Sequence, residues 1–328
     1  MPAITDAFFR EQLLDRRQRL TSAAARSREQ TRLTELLSEV DAALARMDEG
    51  TYGICEVCHD TVEASRLLAN PLARYCLDHL TAAERSALER DLELAASLQR
   101  GLLPRPETSH NGWHISYAYR PLGAVSGDYC DLVKDEGSDA GFFFFVGDVS
   151  GKGVPASMLT AQLHAIFRSL VARQLAVAQL VQQAGRIFCE SSLSPYFVTL
   201  VGGRAGAGGL LEVSNAGHCP PLLVGANEVT RVEPSGVPLG MSTDGDYRAE
   251  QLTLNPGEVV VIYTDGLSEA RNSRDEEYGE ARVIESLIGR AQLGTRSLVQ
   301  ACLDSLAKFL ANAPLADDLT IMAIQRTV

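Results

Sequence analysis

Residues Phe142 to Ala156 read FFFFVGDVSGKGVPA, and the rest of the chain is organised around them. Four phenylalanines and Val146 run without a polar break into Gly147-Asp148. An apolar run of that length, ended by a turn, is a buried strand. A carboxylate placed where such a strand gives way to a glycine-rich turn is held rigidly and faces outward, as a metal ligand should be. Ser150-Gly151-Lys152-Gly153 then opens a helix, and a Gly-x-Gly turn at a helix start offers free N–H groups to an anion. Alone, the stretch reads equally well as a strand, a turn and an N-capping aspartate.

It does not stand alone. Ser126-Gly127-Asp128-Tyr129-Cys130-Asp131 begins a strand, Thr264-Asp265-Gly266 follows the apolar run VVVIY, and Asp317-Asp318-Leu319-Thr320 leads into the last strand. Each sets an aspartate at the margin of a core strand. Oxygen-only ligands select hard cations such as magnesium or manganese. A metal pair bridged by such carboxylates suits hydrolysis of a phosphate ester.

The surrounding pattern predicts strands at Trp113–Tyr119, Tyr129–Lys134, Gly141–Val149, Phe197–Arg204, Leu210–Asn215, Pro221–Val224, Gln251–Leu254, Glu258–Tyr263 and Leu319–Gln325. Helices are predicted at Val154–Ala172, Leu175–Ser191, Glu280–Arg290 and Ser297–Asn312. Runs of strands with helices in pairs point to an α+β class, an antiparallel β-sandwich flanked by helices, rather than alternating βαβ units. The nucleotide-binding glycine fingerprints are missing from the sequence.

The totals agree. A chain of 328 residues suggests about two domains, and a hydrophobic content of 45% supplies a core. A net charge of -12 argues against nucleic-acid or anionic-membrane partners. No run approaches a membrane span and the N-terminus lacks a signal pattern, so a cytoplasmic location is expected. Of seven cysteines, Cys130, Cys189, Cys219 and Cys302 are scattered and read as packing residues, whereas three cluster between positions 55 and 76.

That cluster lies N-terminal to the sandwich. Residues 1–50 carry apolar residues near helical spacing and read as a helical arm, either a hairpin bending within Thr21–Gln30 or a long dimer helix. Residues 51–80 hold Cys55-x-x-Cys58 and Cys76-x-x-His79, two close pairs able to close a tetrahedron of three thiolates and one imidazole around zinc. Four ligands leave no open position, so the zinc is structural. His59 adjoins Cys58, and neighbouring residues rarely both ligate, which favours His79. Residues 81–104 form a linker helix, with Thr81 and Glu84 as a capping box and Pro104 as the stop. Leu88, Leu92, Ala95, Gln99 and Leu102 trace a short coiled-coil seam, and Leu94 with Leu98 a second stripe; one stripe can pack on residues 112–328 while the other meets a second subunit.

Two resemblances follow from these residues. Asp41-Ala42-Ala43-Leu44, Glu49 to Cys55 and Arg74-Tyr75-Cys76 resemble the DksA/TraR zinc-finger family, with His79 standing where a fourth cysteine is usual. The acidic coiled-coil tip of the polymerase-binding members has no match in the basic stretch Arg26 to Arg32, so the polymerase function is not carried over. Gly127-Asp128-Tyr129, Gly147 to Gly153, Asn215-Ala216-Gly217-His218, Tyr263-Thr264-Asp265-Gly266 and Asp317-Asp318-x-Thr320 resemble the PPM-type phosphatases of the SpoIIE/RsbU branch.

The second resemblance implies a protein serine/threonine phosphatase with a binuclear manganese or magnesium centre. Its usual substrate is a phosphorylated anti-anti-sigma (STAS-domain) protein in a partner-switching pathway. It implies metal ligation by Asp128 and Asp148, with Asp148 bridging and the Val149 carbonyl adding a ligand. Asp265 and Asp317 complete the first metal's shell, and Asp318 is a weaker ligand or a group behind the ligands. Water activated on the metal pair attacks phosphorus directly, so Ser150 has no nucleophilic role. Lys152 is a candidate phosphate-holding residue and His218 a candidate substrate-side proton donor, each also readable as an ordinary loop or turn residue. A zinc-finger region that regulates the phosphatase, and a homodimer through the arm or linker helix, complete this reading. One competing reading is a non-enzymatic module whose finger contacts a transcription partner such as RNA polymerase. Another is a redox or zinc sensor built on Cys55, Cys58 and Cys76.

Overall fold

The computed structural model describes residues 6–24, 30–137, 141–191, 196–226 and 228–327. The bend expected within Thr21–Gln30 falls largely outside the described residues. The chain forms two compact units, Met1–Asp91 and Leu92–Val328.

In the first unit, helices α1 (Asp6–Ala24) and α2 (Gln30–Asp48) run antiparallel, as the ion pairs Arg10–Asp48 at 2.5 Å and Arg17–Asp41 at 2.7 Å require. Leu13, Val40 and Ala43 are buried between them. The next segment turns through tight knuckles and the short helix α3 (Ala64–Ala69). Helix α4 (Ala82–Leu102) opens on the expected capping box: Thr81 N donates to Glu84 Oε2 at 3.0 Å, and Glu84 N to Thr81 Oγ1 at 3.2 Å. This reciprocal pair satisfies two N–H groups that a helix start otherwise leaves open. Toward its C-terminal end α4 buries Ala96 and Gln99 and leaves Leu94 and Leu98 exposed.

The second unit begins with β1 (Glu107–His110), β2 (Trp113–Arg120), β3 (Asp128–Lys134) and β4 (Phe142–Val149). Helices α5 (Val154–Val171) and α6 (Val177–Ser191) follow, then β5 (Val198–Ala205), β6 (Leu210–Ala216), β7 (Leu222–Val224), β8 (Val229–Arg231), β9 (Glu250–Thr253) and β10 (Val259–Tyr263). Helices α7 (Asp265–Ser268), α8 (Gly279–Leu287) and α9 (Thr295–Leu310) precede β11 (Leu319–Arg326). The strands form two antiparallel sheets, ordered β1-β2-β11-β10-β7-β8 and β3-β4-β5-β6-β9.

The unbroken apolar runs have a simple cause: their strands are covered on both faces. Phe142, Phe144 and Val146 of β4 point into the layer between the sheets, beside Val260, Ile262, Met322 and Ile324. Phe143 and Phe145 point the other way, onto α5 and α6 through Ile166, Phe167, Leu180 and Val181. On the other sheet, Val259, Val261 and Tyr263 pack with Leu298, Leu303 and Leu306 of α9. The result is helices, sheet, sheet, helices, the α+β sandwich expected. The polar β1 (ETSH) and the three-residue β8 (VTR) carry too little apolar signal to be predicted, and both are edge strands. Among the described residues no helix is long and apolar enough to cross a membrane.

Candidate active site and metal centres

Antiparallel pairing brings the sequence-predicted aspartates to one end of both sheets. Asp128 opens β3 and faces Asp148 near the end of β4 in register. In the other sheet Tyr263, the last residue of β10, pairs with Ile321 of β11, so Asp265 and Asp317 flank matching strand ends. Two threonines stitch the sheets together here. Thr264 Oγ1 donates to Asp128 Oδ2 at 3.0 Å, Thr320 Oγ1 donates to the same oxygen at 2.5 Å, and Thr320 N donates to Thr264 Oγ1 at 2.9 Å.

Gly266 is required by close approach: a Cβ there would lie 1.9 Å from the Asp318 carbonyl oxygen. Gly153 caps the start of α5 at φ 74, a left-handed conformation that glycine adopts without strain. Behind these turns, Asp131 is fully buried and ties α5 to β3, accepting from Arg168 Nε and Nη2 at 2.9 Å each, with His164 Nδ1 at 3.1 Å.

The carboxylates resist ionisation. Burial holds Asp128 well above the ordinary carboxylate range, with the threonine hydroxyls opposing and Asp148 and Asp318 adding to the effect. Burial, followed by the fields of Asp265, Asp317 and Asp318, pushes Asp148 up to about 7. Asp265 is also raised, by burial and then by Asp317. Crowded acids of this kind, offering only oxygen, fit hard divalent cations whose charge relieves the repulsion.

Lys152 is the cation beside them. Its Nζ lies 2.8 Å from Asp317 Oδ2 and donates to Ala316 O at 2.8 Å. Asp318 has both oxygens occupied by backbone: Oδ1 accepts from Leu122 N at 2.6 Å and Oδ2 from Gly127 N at 2.7 Å. His218 is buried, its Nδ1 shares a hydrogen bond with Thr199 Oγ1 at 2.8 Å, and its N donates to Asn215 Oδ1 at 2.8 Å. Burial lowers its pKa to about 4, so the ring is neutral near pH 7.

The second centre lies in the first unit. Ligand atoms of Cys55, Cys58, Cys76 and His79 all lie within 4.8 Å of one another, and among the described residues this is the group that closes so tightly. Cys58 and Cys76 sulfurs are 3.7 Å apart, and Cys76 Sγ is 3.2 Å from His79 Nδ1. His59, at φ 61, takes the left-handed position of the first knuckle instead of a ligand position. Its N donates to Cys55 O at 2.9 Å, while Cys55 N donates to Asp60 O at 2.8 Å. Soft thiolates with one imidazole in a tetrad of this size fit zinc.

Three features escaped the sequence. Thr264 and Thr320 were visible only as neighbours of aspartates. The backbone-holding geometry of Asp318 depends on loops nearly 200 positions away. Gln99 sat at a seam position with no sign of a partner.

A helix-flanked antiparallel sandwich with acidic turns gathered at one end of both sheets defines a PPM-type protein phosphatase. Residues 138–327 match the family described as Stage II sporulation protein E (SpoIIE), and the chain belongs to that family. Residues 50–78 match the prokaryotic dksA/traR C4-type zinc finger; His79 lies just beyond that match. Phosphoserine phosphatase RsbU of Bacillus subtilis (strain 168) is 26% identical over 245 residues, which cover 74% of this chain and 71% of RsbU. The RsbU and RsbW domains of Rv1364c from Mycobacterium tuberculosis are 30% identical, with a TM-score of 0.55, over 66% of this chain and 61% of that one. The SiaA-PP2C domain of Pseudomonas aeruginosa, 20% identical, shares the fold with a TM-score of 0.65 over 75% of this chain and 99% of that one.

Proposed function

We infer that this protein phosphatase is a manganese- or magnesium-dependent enzyme acting on phosphoserine or phosphothreonine of a STAS-domain protein. The observation that carries the reading is the convergence of Asp128, Asp148, Asp265 and Asp317 on one end of the sandwich, with Asp128, Asp148 and Asp265 held reluctant to ionise. These four side chains, with the Val149 carbonyl, would hold the metal pair. Bound divalent metals supply charge neutralisation of the phosphate and a water of lowered pKa.

The chain's own residues do the rest. Thr264 and Thr320 fix one Asp128 oxygen by hydrogen bonds and so orient the other. Asp318 serves as the clasp of the loop before Asp128, since its oxygens are engaged by Leu122 and Gly127 amides. Lys152, exposed and paired with Asp317, would be the residue to meet the phosphate. His218 supports Thr199, which faces Asp148 in register, and takes no proton-donor role.

The STAS substrate is supported by the similarity to RsbU and to the joined RsbU and RsbW domains of Rv1364c. The finger, holding structural zinc, is regulatory in this reading, since it precedes the phosphatase unit on the same chain. A cytoplasmic homodimer through the exposed Leu94 and Leu98 completes the reading.

The test compares hydrolysis of a phosphoserine STAS-domain protein with that of an unrelated phosphoserine protein, with and without manganese. Manganese-dependent turnover favouring the STAS protein is expected. Equal turnover of both would refute the substrate assignment, and no turnover of either would refute the enzyme reading.

A further inference from the structure

Gln99 is 9% exposed and, among the described residues of α4, is buried together with Ala96 alone. Its amide makes a two-way pair with the backbone of Ser126: Nε2 donates to Ser126 O at 2.7 Å, and Oε1 accepts from Ser126 N at 2.9 Å. Nε2 also donates to Thr160 Oγ1 at 3.1 Å, and the Thr160 hydroxyl in turn donates to Ser157 O within α5 at 2.8 Å. A glutamine carries two N–H donors and one carbonyl, and all are engaged here.

The partner of this clamp is the turn that presents Asp128. Asp128 N donates to Ser126 Oγ at 3.1 Å, and Gly127 N to Asp318 Oδ2 at 2.7 Å. The turn is thus held by α4 on one side and by Asp318 on another. A buried glutamine is not needed for packing, since Leu or Met fills the same space without desolvating an amide. It is satisfied in one placement of α4 only, because a one-residue slip turns the side chain by about 100° and advances it about 1.5 Å.

We propose that Gln99 is a positioning residue of the phosphatase site, which fixes the Ser126–Asp128 turn and thereby the Asp128 carboxylate in the place a divalent metal takes. It acts through the turn and touches no reacting atom. Thr160 extends the same clamp to the first turns of α5, so one side chain of α4 registers two elements of the site. The proposal rests on Asp128 being a metal ligand.

The test uses the full chain and manganese alone, with calorimetric uptake and amide hydrogen exchange at Ser126 and Gly127 as readouts. Gln99→Met keeps the shape of the side chain and removes its bonds. It is expected to weaken manganese uptake about tenfold, the usual scale for losing a group that orients a ligand, and to speed exchange at both amides. Glu93→Gln, at an exposed position of the same helix, is expected to change neither. A folded Gln99→Met chain with wild-type uptake would overturn the proposal while leaving the metal-site reading in place, provided Asp148→Asn abolishes uptake. A wild-type chain that takes up no manganese would overturn both. Should Gln99→Met fail to fold, Gln99→Glu decides: it keeps the length of the side chain but loses both N–H donors, to Ser126 O and Thr160 Oγ1, so it is expected to weaken uptake in the same direction, and unchanged uptake would overturn the proposal.

Discussion

Asp265 and His218 were both singled out by motif, and the structure separates them by environment. Asp265 sits half-buried at a strand end, its carboxyl raised by burial and by Asp317. Asp265→Asn keeps the volume and removes the charge that would hold a cation. It should cut manganese-dependent turnover by about a hundredfold or more, since a metal supplies several kcal/mol of charge stabilisation. His218, by contrast, is neutral and buried, and His218→Gln should retain turnover near pH 7 within a few-fold. Its signature is stability. The folded ring titrates at about 4 against a usual 6.5. The unfolded chain therefore binds a proton first as pH falls. Stability is full above pH 6.5 and is lost on acidification toward pH 4, at about 1.4 kcal/mol per pH unit. Melting at pH 7 and pH 5 should show a larger drop for the wild type than for His218→Gln, and equal drops would count against the neutral buried ring.

At the scale of elements, β4 shows what a sequence reveals and what it withholds. The run FFFFV announced a strand buried on both faces, as VVVIY did for β10, because each residue has apolar cover whichever way it points. The acidic positions were legible in part for the same reason: Asp148 and Asp265 follow such runs, and Asp128 and Asp317 stand at the margins of strands read from weaker patterns. Register was not legible. Nothing in the sequence said that Asp128 would face Asp148, or that Gly202 and Gly203 would lie opposite Phe145 and Phe144. Those glycines make room. A Cβ on Gly203 would lie 2.1 Å from Phe144 Cζ and 2.7 Å from Glu212 O. Gly203→Ala should therefore destabilise the fold by about 3 kcal/mol, the upper range for overpacking a core, measurable by denaturant titration. A neutral result would mean that the ring shifts freely in the layer between the sheets. Gln99 was illegible for a related reason: a seam position predicts burial but not the backbone of a distant turn.

At the scale of the molecule, each unit carries its own core and its own candidate metal site. The first unit depends on few buried side chains, among them Phe9, Val62, Leu67 and Ala73 around the cysteines. Metal binding and folding are coupled in such small domains. Chelation of zinc should lower the melting transition of that unit and leave the transition of Leu92–Val328 in place. Cys58→Ser should mimic chelation, and a single transition that moves as one would contradict the division. The central claim concerns the other unit. Crystals grown with manganese, measured at the manganese absorption edge, should show anomalous peaks among Asp128, Asp148, Asp265 and Asp317, and these should disappear in Asp148→Asn. Manganese bound elsewhere, with no peak at the aspartates of the wild-type chain, would contradict the account.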